Sequence, residues 1–377
     1  MAIHSKKYAR GPVKNFLLLF LTCIFLIGTL EITLRFLPVA TGIRTIVPVN
    51  DHNPIFHVEP NRDAFYSSGW NFLMAHKKHI NNIGFMNKFD YNTTDPRTLV
   101  AVVGDSYVEA FQVNDDEPFY QDLTRDNPNL RVYSFGFSGA GLSQYLIWAQ
   151  YAHEKYHNNF LIVSVVSNDF DQSLKKYKFY PGFYHYDEQE NGSLVLVRRD
   201  FEPNPYIKFF LDHSYLAKYL VYNLRAHKIF ELIQQRFTPK NQYVNNVPLQ
   251  VDTAHEQDSY RVVDAFLRDL PQYSGLSPQN ILIMTDGLRA SIYNPDEQSI
   301  AQNSFAAKMY NYLLAQAHLL GYNTLDLHQP FSEHYKHYQE RFEFPTDGHW
   351  NALGHQVVAE TIEKTSWWQQ TVNSQNR

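Results

Sequence analysis

Four short polar blocks hold the residue types that acyl-transfer chemistry needs. Gly104-Asp105-Ser106 offers a hydroxyl that a nearby base can turn into a nucleophile. Asp347-Gly348-His349 offers that base. A neutral imidazole can take the serine proton, and a carboxylate can hold the imidazole tautomer and stabilise the imidazolium. Ser138-Gly139 offers a glycine whose backbone can approach a ligand and present an N–H group. Asn168, in Val166-Ser167-Asn168-Asp169, carries an amide that can donate to an oxyanion. Each block alone is also ordinary turn chemistry, because turns are built from Gly, Asp, Asn and Ser. An Asp and a His two residues apart are, as a lone pair, more often surface polar residues. His355, six residues on, is a rival base.

Such chemistry needs a rigid frame. Largely apolar runs of strand length occupy 98–103, 130–135, 160–166, 281–285 and 323–327. Between them, Leu142, Tyr145, Leu146, Ala149, Ala152 and Tyr156 recur with helical spacing, as do Ala306, Met309, Tyr310, Leu313 and Leu314. A last helix is expected from near Asn351 through Ile362. This rhythm predicts an α/β fold: a three-layer sandwich with a central, mostly five-stranded parallel sheet. The polar blocks then fall at strand ends or helix starts, where open α/β sheets bind ligands.

The remaining segments read differently. Residues 41–97 form a lead-in rich in turn signals, expected to hold short strands with low order in places. The main domain is expected over 98–370, with an insertion at about 170–280 that could shape a substrate cleft. Within that insertion, 179–200 reads as a hairpin turning at Glu190-Asn191-Gly192, 215–237 as an amphipathic helix and 241–252 as a loop. His153 and His157 are spaced as a metal pair on a helix, but no third ligand stands at a telling spacing, and a solvated face is the simpler reading.

Residues 1–40 read as a cytoplasmic tail and a transmembrane anchor. Lys6, Lys7, Arg10 and Lys14 precede an uncharged run of about 15 residues, 16–30. Extended to Leu37 it reaches the roughly 20 residues that span a bilayer. Glu31 and Arg35 then lie near the interface as an i,i+4 pair. Basic residues ahead of the apolar run keep the N-terminus in the cytoplasm and put the rest outside, in the periplasm of a bacterium. The alternative is a cleaved signal peptide, with poor cleavage sites around Ala40.

Length and charge narrow the function. The chain has 377 residues, 33 basic and 38 acidic, for a net charge of −5. No basic stripe is present, which speaks against nucleic-acid binding. Cys23 is the single cysteine and sits in the apolar run, so no disulfide is expected. The 26 Tyr and 27 Phe are chiefly packing residues, with an aromatic sugar cleft as the sharper reading.

Taken together, the blocks resemble the SGNH/GDSL hydrolase superfamily, whose blocks carry Ser, Gly, Asn and His in that order. The resemblance covers roughly 98–170 and 280–365. It implies a flavodoxin-like fold with Ser106 as nucleophile, His349 as base and Asp347 as its orienting acid. It implies an oxyanion hole from the Ser106 and Gly139 N–H groups and the Asn168 side chain, with Asp105 structural. Two positions depart from the common pattern. Val166 stands where Gly-x-Asn-Asp has its glycine, and Asp347-Gly348-His349 is one residue shorter than Asp-x-x-His. The shorter form resembles membrane-anchored bacterial members with Asp-Gly-His-Trp-Asn. No metal or organic cofactor is implied. The expected partners are an ester-bearing substrate, with carbohydrate as one class, and the membrane through the N-terminal helix. Water as acceptor makes an esterase, and a sugar hydroxyl makes an O-acetyltransferase of exported polysaccharide. The non-enzymatic alternative is a catalytically silent glycan-binding module.

Overall fold

The computed structural model describes residues 11–41, 45–226, 243–244 and 247–374. The basic flank Lys6, Lys7 and Arg10 lies outside them. The chain begins with α1 (Gly11–Leu34), 24 residues and so about 36 Å long. Its apolar stretch Val13–Leu34 is long and apolar enough to cross a membrane. Glu31 and Arg35 pair at 3.2 Å, one turn apart, as their spacing predicts.

The lead-in holds an antiparallel hairpin, β1 (Arg62–Ser68) and β2 (Met74–Ile80). Residues 42–44 of the lead-in lie outside the described residues, and the described part packs on the rest of the fold. Phe56, Val58, Ile80, Phe85 and Met86 are buried and join the main apolar core. The reason lies at the sheet edge. After β3 (Thr98–Gly104), α2 (Ser106–Glu109) and α3 (Phe119–Asp126) comes β4 (Leu130–Gly136), an edge strand. An edge strand needs cover for its unpaired backbone and side chains. Tyr91 gives it, stacking on Tyr133 at 3.9 Å and donating its hydroxyl to the Ser134 carbonyl at 2.6 Å.

Next come α4 (Leu142–Tyr156), β5 (Phe160–Val165) and the expected hairpin, β6 (Tyr184–Glu188) with β7 (Leu194–Arg198). Then follow α5 (Pro205–His213) and α6 (Tyr215–Lys218). The amphipathic helix expected over 215–237 is broken here: α6 passes into a π turn at Tyr219–Asn223, and 227–242 lie outside the described residues. The loop expected over 241–252 carries a two-residue ladder, Tyr243–Val244 with Val247–Pro248. The 22-residue helix α7 (Thr253–Ser274) was not singled out from the sequence, although Val262, Val263, Phe266, Leu267 and Leu270 carry helical spacing. It packs beside α4 and adds to the same core.

The chain closes with β8 (Ile281–Thr285), α8 (Arg289–Tyr293), α9 (Pro295–Gln302), α10 (Phe305–Leu319) and β9 (Asn323–Asp326). After them come α11 (His328–Tyr338), the short pair β10 (Glu343–Phe344) and β11 (Asp347–Trp350), α12 (Ala352–Glu363) and α13 (Ser366–Asn373). Asn351 starts α12 by accepting the Gly354 N–H at 2.9 Å.

The five apolar runs form one parallel sheet in the order β9-β8-β5-β3-β4. Counted by appearance this is 2-1-3-4-5 read from the β4 edge, the doubly wound flavodoxin-like order. Side chains alternate faces along each strand. Leu99, Ala101 and Val103 therefore join a core with α4, α7 and α10, while Val100 and Val102 join one with α3, α11, α12 and α13. The molecule is thus the three-layer α/β sandwich, with the apolar helix at its N-terminus.

Candidate active site

Strand order decides which loops meet. β3 lies between β4 and β5, so the loop after β3 is flanked by the loops after the other two. Those loops carry Ser106, Gly139 and Asn168. The reversal of winding at this point is where such sheets bind ligands.

Ser106 follows β3 directly, at the start of the single turn α2. Asp105 caps that turn, accepting the Tyr107 N–H at 3.0 Å. Gly104 and Gly136 let it sit on the strand ends. A Cβ at Gly104 would lie 2.3 Å from Val108 Cγ2, and one at Gly136 would lie 2.7 Å from Val108 Cβ. Burial pushes the Asp105 carboxyl up, against the Tyr107 and Ser106 groups that it accepts.

His349 comes from β11, which packs against α2 and α12. Its Nε2 lies 2.8 Å from Ser106 Oγ. Its Nδ1 meets Asp347 Oδ1 in a short hydrogen bond, and its backbone N–H donates to the same oxygen at 3.0 Å. Burial works to raise the Asp347 carboxyl, but the hydrogen bonds and charge of His349 outweigh it and hold it below the usual range. The His349 side chain is 23 % exposed, so one edge of the ring remains open to solvent. Ser106 Oγ has one proton and two acceptors in reach, His349 Nε2 and Asp105 Oδ2 at 3.0 Å. Donation to Nε2 requires the tautomer in which Nδ1–H donates to Asp347.

Gly139 has φ +84°, a left-handed conformation that favours glycine. Its N–H donates to no group among the described residues, and its carbonyl accepts from Lys178 Nζ at 3.0 Å. Asn168 is half-buried, and its carboxamide makes no hydrogen bond among the described residues. The turn that presents it is fixed from inside. Asp169, buried, accepts the Val166 N–H at 2.8 Å, and its carbonyl accepts Ser173 Oγ at 2.5 Å. Burial, with Asp105 nearby, pushes the Asp169 carboxyl well above the usual range. His355 stands apart from this group. It is buried against Phe119, whose N–H approaches its Nδ1 at 3.4 Å, and burial lowers its pKa to about 3.

Sequence reading missed the groups that hold β11 in place. Arg289, buried at the start of α8, donates to both Asp286 oxygens at 3.0 Å and to Glu343 at 2.8 Å. It also reaches the Gly348 carbonyl at 2.7 Å, which the Tyr107 hydroxyl reaches at 3.0 Å. Asp286 further accepts Trp350 Nε1 at 2.9 Å. Burial works against the Arg289 charge, and Asp286, Tyr107 and Glu343 hold its pKa well above the ordinary value all the same. His349 is thus flanked by Gly348, bonded to the buried Arg289, and by Trp350, bonded to the Asp286 that Arg289 holds. The signal was present in Asp286-Gly287-Leu288-Arg289 directly after a strand. Glu109, which accepts both the N–H and the hydroxyl of Ser138, was likewise missed.

No protein-family profile matches the chain, and no curated protein does. Among solved structures it is similar to a member of the lipolytic G-D-S-L family from Veillonella parvula, at 8 % identity and TM-score 0.37, covering 71 % of this chain and 98 % of that one. It is similar to a lipase from a goat rumen metagenome, at 11 % identity and TM-score 0.38, covering 72 % and 98 %. A two-domain esterase active on acetylated mannans is similar at 10 % identity and TM-score 0.37, covering 74 % and 50 %. Likenesses this distant carry no argument about chemistry, which rests on the geometry of the chain itself.

Proposed function

We propose that this chain is a serine esterase of the SGNH/GDSL type, working through an acyl-enzyme and held at the outer face of a membrane by α1. The observation that carries the reading is the run from Asp347 through His349 to Ser106 Oγ, 2.8 Å from His349 Nε2. In the proposed reaction Ser106 Oγ attacks an ester carbonyl carbon and His349 Nε2 takes the hydroxyl proton. The resulting oxyanion is met by the N–H groups of Ser106 and Gly139 and by the Asn168 side chain. As the carbon–oxygen bond to the alcohol breaks, His349 returns the proton to the leaving oxygen. Water then attacks the acyl carbon, giving a proton to His349, and the bond to Ser106 breaks as that proton returns to Oγ. A sugar hydroxyl in place of water makes the same step a transfer, and acylated glycans outside the cell are the substrate class that the address suits.

The test uses the full chain in detergent with p-nitrophenyl acetate and a fluorophosphonate probe. Wild type should turn over the ester and bind the probe at Ser106. Ser106→Ala should lose both, and His349→Ala should lose turnover by several orders of magnitude. A wild-type protein inert to both reagents would favour a silent glycan-binding module instead.

A further inference from the structure

α5 leaves most of its apolar side chains exposed, which is unusual for a helix on a water-soluble surface. Tyr206, Ile207, Phe209 and Phe210 are 59–78 % exposed, and no residue of the helix is buried. The half-buried residues of the helix are Leu211 and the charged Lys208, which pairs with Glu59 at 2.9 Å and Asp212 at 3.1 Å. A soluble helix turns its apolar face inward. A contiguous exposed apolar patch marks an interaction surface.

The patch has a second part. Trp70, at the turn between β1 and β2, is 74 % exposed. Its carbonyl accepts the Tyr219 hydroxyl at 2.8 Å, and the neighbouring Phe72 ring lies 5.6 Å from that of Tyr219. Tyr219 directly follows α6, and α6 follows α5. Both apolar projections are therefore fixed to one short segment.

That segment is clamped to the end of α1. The Glu31 carboxylate accepts Ser214 Oγ at 2.9 Å, the Tyr215 N–H at 3.0 Å and the Leu216 N–H at 2.9 Å. The Arg35 guanidinium lies 5.5 Å from the centre of the Tyr215 ring. Glu31 is three residues before the end of α1. Phe210 is four residues before Ser214, about 6 Å along α5. The exposed apolar face of α5 thus starts about one helical turn from the clamp. A helix lying in a membrane interface buries its apolar face about 5–10 Å into the boundary between headgroups and acyl chains.

We propose that α5 and the Trp70 turn form a lipid-facing surface, seated in the outer headgroup boundary of the membrane that α1 crosses. The inference rests on the reading of α1 as a membrane span. The occupant follows from continuity: the patch begins one helical turn from the point where the span is tied to the fold. Tyr206 and Trp70 supply the aromatic groups that sit at that level. Lys208 is already paired, so the contact is apolar and does not depend on anionic lipid.

The test puts the full chain into vesicles of phosphatidylethanolamine and phosphatidylglycerol, 3:1. One sample carries an environment-sensitive NBD label on native Cys23. A second carries it on Phe210→Cys in a Cys23→Ala background, after its melting curve is matched to wild type. The label at 210 should emit to the blue of its position in water. Lipids spin-labelled near the headgroup should quench it several-fold, equally at low and at 1 M salt. Spin labels deep in the acyl chains should quench Cys23. An unquenched label at 210 beside a quenched Cys23 overturns the lipid-facing surface and leaves the span intact. Loss of quenching at Cys23 overturns the span and the surface together. A blue-shifted but unquenched label at 210 that reverts on dilution with lipid assigns the patch to a second copy of the chain, and overturns the proposal.

Discussion

Asp347 and Asp169 sit a few residues from groups proposed to act on substrate, and their environments push them in opposite directions. His349 holds Asp347 ionised. Asp347→Asn removes the acceptor for Nδ1–H and should lower kcat by about 10²–10⁴-fold, as expected when proton transfer by a positioned base is lost. Steady-state turnover of a chromogenic ester checks it. Burial, with Asp105 nearby, pushes the Asp169 carboxyl well above the usual range. An unfolded chain releases the Asp169 proton near pH 3.9. Above that value the native state binds more protons than the unfolded one, so this residue's contribution to stability falls as pH rises. Asp169→Asn keeps an acceptor for the Val166 N–H and has no proton to lose. Its melting temperature should exceed that of wild type at pH 8, and the gap should close toward pH 4. Asp347 has the opposite sign. Its folded value is depressed, so its contribution is present above the unfolded value and is lost as acid protonates it. These tendencies were not legible in the sequence. Gly-Asp-Ser and Ser-Asn-Asp show which residues are present, but burial is a property of the closed sheet.

The element that most determines the site is β11, and what fixes it is the turn after β8. Arg289 meets two carboxylates, a carbonyl and a phenol with a planar fork of donors. Lysine cannot reproduce that fork. Arg289→Lys should therefore lower kcat more than it raises KM, because the imidazole loses its placement while substrate contacts stay. Tyr107→Phe removes one of the two donors to the Gly348 carbonyl. It should cost about 0.5–1.5 kcal/mol of stability, read by denaturant unfolding. The elements themselves were largely readable. Four of the five runs became parallel strands buried on both faces, which carry no polar alternation to confuse them, while the fifth, β9, is a half-buried edge. α7 was passed over, although its apolar spacing is plain once its partner α4 is known. The helix expected from Tyr215 breaks into a π turn instead, where Asn223 donates to Ser67 at 2.8 Å and accepts the Ala40 N–H at 3.1 Å. Bonds to residues more than 150 positions away are invisible to local pattern.

For the whole molecule, the lead-in is a structural member and not a linker. Tyr91→Ala would remove a buried ring stacked on the edge strand, and should destabilise the fold by about 3–5 kcal/mol, the range for emptying a large aromatic site. Thermal or urea unfolding reads it directly. If α1 stays on the chain, the intact mass of the membrane-extracted protein should equal that of the full sequence, and alkaline carbonate should leave it in the pellet. Loss of about 40 residues would instead mark a cleaved signal peptide.

The clamp of Glu31 on α6 also sets the geometry of encounter. An enzyme on a slack tether sweeps a hemisphere and meets substrate in three dimensions, at a rate governed by bulk concentration. Here α1 passes into a packed lead-in, with Glu31 bonded across to Ser214, Tyr215 and Leu216. With α1 in a bilayer, the loops after β3, β4 and β5 keep a constant height and tilt above it. Such a protein patrols a plane. On the proposed function, it would reach only acyl groups displayed at that altitude, and its throughput would scale with their number per unit of membrane area.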